Sequence, residues 1–102
     1  MRRERLVLVI AGSDPSGGAG LELDLKVLAR LGVHGAAIAS CHTLQTATGL
    51  RDVEAASPRR AERQLALLRR DAPIGAVKIG MLADAAWVAL VARELERQGV
   101  RP

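Results

Sequence analysis

The fold is decided by residues 6–20, which read LVLVIAGSDPSGGAG. The first six are apolar and rich in β-branched side chains, which predicts a strand covered on both faces, as in a parallel sheet. The glycines, serines and proline that follow predict a loop over residues 12–20. Apolar residues then recur at helical spacing from about residue 19 to residue 31, so we expect the loop to lead straight into a helix that Gly32 ends.

The remainder of the chain continues this alternation of strands and helices. Three further segments are predicted as a buried strand, a loop and a short strand, at residues 34–42, 43–52 and 76–79. A second helix is predicted to start at Ser57-Pro58 and to close at Pro73, and a third to run from its cap Asp84 to Gly99. This order predicts an α/β fold with a mainly parallel sheet and flanking helices.

The three helices carry apolar stripes that predict which of their residues face the core. The stripes are Leu21, Leu25 and Leu28 in the first helix, Ala61, Gln64, Leu65 and Leu68 in the second, and Val88, Val91 and Leu95 in the third. On the first helix, Glu22, Lys26 and Arg30 recur every four residues, which predicts an exposed ladder of opposite charges.

The alternation stops at residues 100–102, where a further strand is expected to follow the third helix. Residues 1–102 are therefore expected to form the N-terminal part of a single, incomplete α/β domain. We expect one strand edge of its sheet to be unpaired.

The composition limits the function classes that fit the chain. Its 102 residues are 49% hydrophobic and 25% charged, which indicates one globular domain or part of one and excludes intrinsic disorder. A net charge of +4 and a single aromatic residue, Trp87, leave a small basic nucleic-acid-binding domain as a weak alternative. Cys41 is the single cysteine, and no apolar stretch has membrane length, so we expect a cytoplasmic protein without nucleic-acid or membrane partners.

The loop at residues 12–20 and three single residues are candidates for ligand binding. The loop is neither a Walker A motif nor G-x-G-x-x-G, and a tight turn explains it as well as a ligand does. Asp24 borders the buried stripe, where a carboxylate needs a partner or the helix dipole. The amide of Gln45 can pair at two points with an amino-substituted ring nitrogen, and Met81 can pack on a flat ligand or fill the core. No catalytic residue and no metal ligand are predicted.

Four pieces of the sequence together resemble the N-terminal part of the hydroxymethylpyrimidine/phosphomethylpyrimidine kinase family. They are AGSDPSGGAG at residues 11–20, DLK at residues 24–26, Gln45, and KIGML at residues 78–82. The resemblance implies a three-layer α/β/α ribokinase-like fold. It also implies phosphorylation of 4-amino-5-hydroxymethyl-2-methylpyrimidine and then of its monophosphate, using ATP and magnesium, in thiamine diphosphate biosynthesis.

The same resemblance implies roles for the candidate residues. Gln45 would bind the aminopyrimidine, Gly12 would offer backbone contacts, Asp24 would line the pocket near the hydroxymethyl group, and Met81 would pack on the ring. The sequence departs from the family at HTLQTAT (residues 42–48), where a Gln-Asn-Thr-like run is more usual, and at Leu23, where a small residue is common.

The resemblance also limits the activity expected of this chain. The family's ATP site, anion hole and catalytic base belong to a later half of its domain that has no counterpart in residues 1–102, so we expect the chain to be inactive alone. A homodimer and a complementing C-terminal fragment are both open as partners. A fragment of a pyridoxal-type vitamin kinase is the alternative within the same fold.

Overall fold

A computed structural model describes residues 4–99, and a four-stranded sheet lies at its centre. The strands are β1 (Leu6–Ser13), β2 (Gly35–Thr46), β3 (Gly49–Ala55) and β4 (Ile74–Ile79), and the helices are α1 (Gly20–Arg30), α2 (Pro58–Asp71) and α3 (Ala85–Gln98). The strand order is β3-β2-β1-β4. Strand β1 pairs in parallel with β2 and β4, whereas β2 and β3 are antiparallel. The predicted α/β fold with a mainly parallel sheet is confirmed.

The hydrophobic core lies between the sheet and helices α2 and α3. Its buried residues are Leu6, Leu8, Ile10, Ile38, Ala61, Leu65, Ala72, Trp87, Leu90 and Val91. Leu6, Leu8 and Ile10 of β1 all belong to this cluster, because alternate side chains of a strand point to the same face. The Trp87 indole is fully buried, and its Nε1 donates to the carbonyl oxygen of Ala56 at 2.9 Å, so the ring's only donor is satisfied.

Helix α1 covers the opposite face of the sheet. A Cβ atom on Gly35 would lie 2.8 Å from Leu25 Cδ2 and 2.9 Å from Leu28 Cδ1, so α1 packs directly on the backbone of β2 there. Gly35 and Ile38 stand three residues apart in the same strand and therefore face opposite sides of the sheet. The layers follow the order helix, sheet, helix, as predicted.

The segment predicted as a loop at residues 43–52 is instead most of an antiparallel hairpin. Strand β2 continues to Thr46, and β3 returns beside it with Thr43 opposite Val53 and Leu44 opposite Asp52. The loop prediction was wrong because β3 is an edge strand whose seven residues are all exposed. A strand that buries neither face carries no apolar alternation, which is the signal that sequence reasoning uses to find strands.

The helix faces agree with the predicted stripes only in part. In α2, Ala61 and Leu65 are buried as predicted, but Gln64 is exposed. In α3, Val88 is 55% exposed although it was placed in the inner stripe. The residues of α3 that are buried are Trp87, Leu90, Val91 and Glu94. The buried face of α3 includes Trp87 in place of Val88, because the large Trp87 ring enters the core. Glu94 is tolerated on this buried face because it pairs with Arg69 of α2.

Strand β4 forms one edge of the sheet. Within residues 4–99 it pairs with β1 alone, which agrees with the expected unpaired strand edge. The further strand expected near residues 100–102 lies outside the described residues. In the part of the chain that the structure describes, no helix is long and apolar enough to cross a membrane.

Two leucines of α2 provide a test of this core. Leu65 is 2% exposed and Leu67 is 56% exposed. We expect Leu65→Ala to lower the free energy of unfolding by about 2–5 kcal/mol, since it leaves a cavity, and Leu67→Ala to change it by less than about 0.5 kcal/mol. Urea unfolding followed by Trp87 fluorescence measures both. Equal losses in the two variants would contradict the assigned face of α2.

Candidate functional site

A cavity of about 200 Å³ opens at the carboxyl ends of β1, β2 and β4, beside the start of α1. The carboxyl edge of a parallel sheet is where α/β proteins bind their ligands, because the loops and helix N-termini meet there. The lining residues are Ala11, Gly12, Ala19, Gly20, Thr43, Gln45, Leu50, Lys78, Gly80 and Met81. Lys78 is the charged side chain among them.

The structure brings three of the four candidate residues into the wall of this cavity. Gly12, Gln45 and Met81 line it directly. Asp24 is not among the lining residues: its Oδ2 accepts a hydrogen bond from Lys78 Nζ at 2.8 Å, and Lys78 lines the cavity. Asp24 therefore has the partner that its position beside the apolar stripe requires. The roles of all four residues in binding remain predictions.

Gly12 lies where two sulfur-containing side chains meet. A Cβ atom at Gly12 would lie 2.9 Å from Cys41 Sγ, so the site has no room for a side chain. Cys41 Sγ lies 3.6 Å from Met81 Sδ, and Ser40 Oγ donates to the carbonyl oxygen of Met81 at 2.5 Å. Strand β2 thus fixes both the backbone and the side chain of Met81, while the missing side chain at Gly12 keeps the cavity open.

The amide of Gln45 is oriented by a chain of hydrogen bonds. Thr43 Oγ1 donates to the carbonyl oxygen of Ser13 at 2.7 Å, and Gln45 Nε2 donates to the same Thr43 oxygen at 2.7 Å. The hydroxyl has used its only hydrogen on Ser13, so it must act as the acceptor toward Gln45. Among residues 4–99, neither Gln45 Oε1 nor the second hydrogen on Nε2 has a hydrogen-bond partner. Sequence reasoning missed Thr43, although its position two residues before Gln45 in one strand is a usable signal.

The loop between β1 and α1 is held from within by the carboxylate of Asp14, which is 3% exposed. Asp14 Oδ1 accepts from Ser16 N at 2.9 Å and from Ser16 Oγ at 2.7 Å, and Oδ2 accepts from Gly18 N at 3.2 Å. The hydroxyl of Ser16 is the main cause that lowers the pKa of Asp14 from its usual value; burial opposes the shift, and the backbone N–H groups add to it. These hydrogen bonds link both carboxylate oxygens of Asp14 to the loop backbone.

Helix α1 fastens the same loop from its other side. Glu22 accepts from Asp14 N at 2.7 Å and from Ser13 Oγ at 2.6 Å, and Lys26 Nζ donates to the carbonyl oxygen of Gly17 at 3.0 Å. The predicted charge ladder on α1 was therefore wrong for these two residues, since both bond the loop. Local spacing identifies i,i+4 neighbours but not the loop that folds back over the helix.

The described residues contain no cluster suited to a metal ion. Between residues 4 and 99, no group of three or more His, Cys, Asp or Glu side chains comes together. The described residues therefore supply no set of three or more such ligands for a magnesium ion. Lys78 is the cation that the described chain places at the cavity.

The comparison with protein families identifies the family to which the chain belongs. The family model described as phosphomethylpyrimidine kinase matches residues 14–102, almost the whole chain. The chain belongs to the phosphomethylpyrimidine kinase family. The predicted resemblance is thereby confirmed.

Members of this family and neighbouring structures resemble the chain over most of its length. It is 40% identical over 94 residues to the hydroxymethylpyrimidine/phosphomethylpyrimidine kinase of Salmonella typhimurium, which covers 92% of the chain and 35% of that relative. It superposes on the phosphomethylpyrimidine kinase structure from Clostridium difficile with a TM-score of 0.87 at 32% identity, over 95% of this chain and 42% of the other. The pyridoxal kinase of Bacillus subtilis gives a TM-score of 0.83 at 27% identity, over 95% and 38%.

These phosphomethylpyrimidine kinase and vitamin kinase structures confirm the ribokinase-like fold. The chain spans about a third of the length of the Salmonella relative.

The lowered pKa of Asp14 predicts a pH dependence of stability. A carboxyl group whose pKa is lower in the folded state stabilises that state at neutral pH, and this contribution is lost as the pH falls below about 4. We expect Asp14→Asn to have a lower free energy of unfolding than the wild type at pH 7. Between pH 5 and pH 3, the free energy of unfolding of the variant should fall by less than that of the wild type. Urea unfolding at each pH measures this. Asp52→Asn, at an exposed position of β3, is the control and should follow the wild type; identical pH profiles for all three proteins would contradict the role of Asp14.

Proposed function

We propose that this chain forms the substrate-side part of an ATP-dependent kinase that phosphorylates 4-amino-5-hydroxymethyl-2-methylpyrimidine and then its monophosphate in thiamine diphosphate biosynthesis. The observation that carries the proposal is the cavity in which the oriented amide of Gln45 stands beside Met81 and Gly12. Membership of the phosphomethylpyrimidine kinase family and the name of the Salmonella relative support it. We place this activity in the cytoplasm.

The cavity offers each part of an aminopyrimidine a matching group. Gln45 Oε1 accepts a hydrogen bond from the amino group, and the hydrogen left on Nε2 donates to the adjacent ring nitrogen. Met81 packs on the ring face through its polarisable sulfur. Gly12 allows the ring to approach the backbone because Cys41 leaves no space for a side chain there.

Phosphoryl transfer also needs a nucleotide and groups that stabilise charge on the transferred phosphoryl group. In this proposal the residues of the cavity position the acceptor hydroxyl. ATP and magnesium are bound by other parts of the kinase, supplied by a complementing C-terminal fragment. The chain's span of 35% of the Salmonella relative supports this division, so we expect the chain alone to bind the pyrimidine without turnover.

Pyridoxal is the alternative substrate. The superposition on the Bacillus subtilis pyridoxal kinase favours it, since the same fold positions both kinds of site. The two ligands differ in their ring groups: the pyrimidine carries an amino group beside a ring nitrogen, and an amide fits that pattern at two points. Gln45 therefore discriminates between the two substrates.

Replacement of the Gln45 amide tests the pyrimidine proposal. We expect Gln45→Ala to weaken binding of the aminopyrimidine alcohol about tenfold or more, because two hydrogen bonds are lost. Isothermal titration calorimetry measures this, with pyridoxal as the second ligand. Gln64→Ala, on the exposed face of α2, is the matched control and should bind like the wild type. Tighter binding of pyridoxal than of the pyrimidine by the wild type would favour the alternative.

Turnover by the 102-residue chain tests whether the chain needs the other parts of the kinase for activity. We expect incubation with ATP, magnesium and the aminopyrimidine alcohol to release no more ADP than the same mixture without the protein. A coupled ADP assay and mass detection of the pyrimidine monophosphate provide the measurement. Product formation that scales with protein concentration would overturn the proposal that the chain is inactive alone.

A further inference from the structure

Lys78 differs chemically from the other residues that line the cavity. Its side chain is 51% exposed, and it is the charged side chain in a wall otherwise made of small, apolar and neutral polar residues. A Cβ atom on Gly80 would lie 3.6 Å from Lys78 Nζ, so the ammonium group reaches along the end of β4 toward the cavity. The packing of the core does not account for a cation at this place.

Asp24 holds the ammonium group against the wall. Its side chain is only 19% exposed, and its Oδ2 accepts from Lys78 Nζ at 2.8 Å. A lysine ammonium has three hydrogens, of which this bond uses one. Within residues 4–99 the other two hydrogens of Lys78 have no partner, so they can bind an oxygen ligand in the cavity, while the carboxylate of Asp24 is engaged with Lys78.

The start of α1 lies at the same wall. Ala19 and Gly20 line the cavity. The acid of the first turn, Glu22, is engaged with the loop, where it accepts from Asp14 N and Ser13 Oγ. Lys78 therefore makes this side of the cavity suited to oxygen atoms that carry negative charge, whereas the Gln45 side is suited to a neutral ring.

We infer that Lys78 is the specificity-determining residue that recognises the phosphate ester of the pyrimidine monophosphate, held in place for that contact by Asp24. The inference rests on the proposed function. The alcohol offers Lys78 one neutral hydroxyl oxygen, whereas the monophosphate offers an anionic group with several acceptor oxygens. Charge-assisted hydrogen bonds are about twice as strong as neutral ones, so Lys78 separates the two forms of the substrate while Gln45 holds the ring they share.

The test compares the binding of three probes to the 102-residue chain by calorimetry: the aminopyrimidine alcohol, its monophosphate, and inorganic phosphate. We expect Lys78→Met to weaken monophosphate binding about tenfold to a hundredfold and to change alcohol binding less than about threefold. Lys78→Arg keeps the charge and should retain the preference for the monophosphate. Arg59→Met is the matched control, because Arg59 is an exposed cation of α2 and does not line the cavity.

The outcomes separate this inference from the proposed function. Equal weakening of both ligands by Lys78→Met, no weakening of either, or inorganic phosphate binding as tightly as the monophosphate would overturn the role of Lys78 and leave the pyrimidine site standing. A wild-type chain that binds neither pyrimidine would overturn both.

Salt dependence keeps the inference testable if Lys78→Met fails to fold, as judged by circular dichroism. Added KCl should weaken the wild type's binding of the monophosphate and leave that of the alcohol unchanged, since salt screens charge pairs at an exposed wall. The same salt response for both ligands would count against an ionic contact from Lys78.

Discussion

The close approach of Gly20 to the carbonyl oxygen of Gly12 is the constraint on which the rest of this structure depends. Gly20 has a φ of +61°, and a Cβ atom there would lie 2.3 Å from the Gly12 oxygen. Only glycine fits at position 20, because residues with a side chain disfavour this positive φ and because the Gly12 oxygen occupies the space that a Cβ atom would need. The contact closes the β1–α1 loop tightly, so that the first turn of α1 forms part of the cavity wall.

Hydrogen bonds to carboxylates, rather than burial of apolar side chains, stabilise the closed β1–α1 loop. The carboxylates of Asp14 and Glu22 accept hydrogen bonds from loop N–H and hydroxyl groups that would otherwise lack partners. An unsatisfied buried donor costs as much as a lost hydrogen bond, which explains two acids in so short a segment. These bonds hold the loop in one conformation at the cavity wall, and a loop fixed in this way loses less entropy when a ligand binds.

The site combines three strands with different tasks. Strand β1 supplies the open space at Gly12, β2 supplies the oriented amide of Gln45, and the segment that ends β4 supplies Lys78 and Met81. In the proposed kinase, separate elements thus bind the neutral ring of the substrate and its phosphate ester. Such a division lets one cavity accept both the alcohol and its monophosphate.

The sequence by itself determined the elements whose signals are local. Ser57 accepts from Arg60 N and Asp84 from Trp87 N, both at 3.1 Å, as their cap positions predict, and Gly99 ends α3 with a φ of +68°. Only the tertiary structure decided the β2–β3 hairpin, the turned face of α3 and the Lys78–Asp24 pair, whose members are 54 residues apart. Caps and apolar periods act within a few residues, whereas an exposed edge strand has no such period. The Lys78–Asp24 pair exists because sheet order places β4 beside β1 and thereby brings Lys78 to the start of α1.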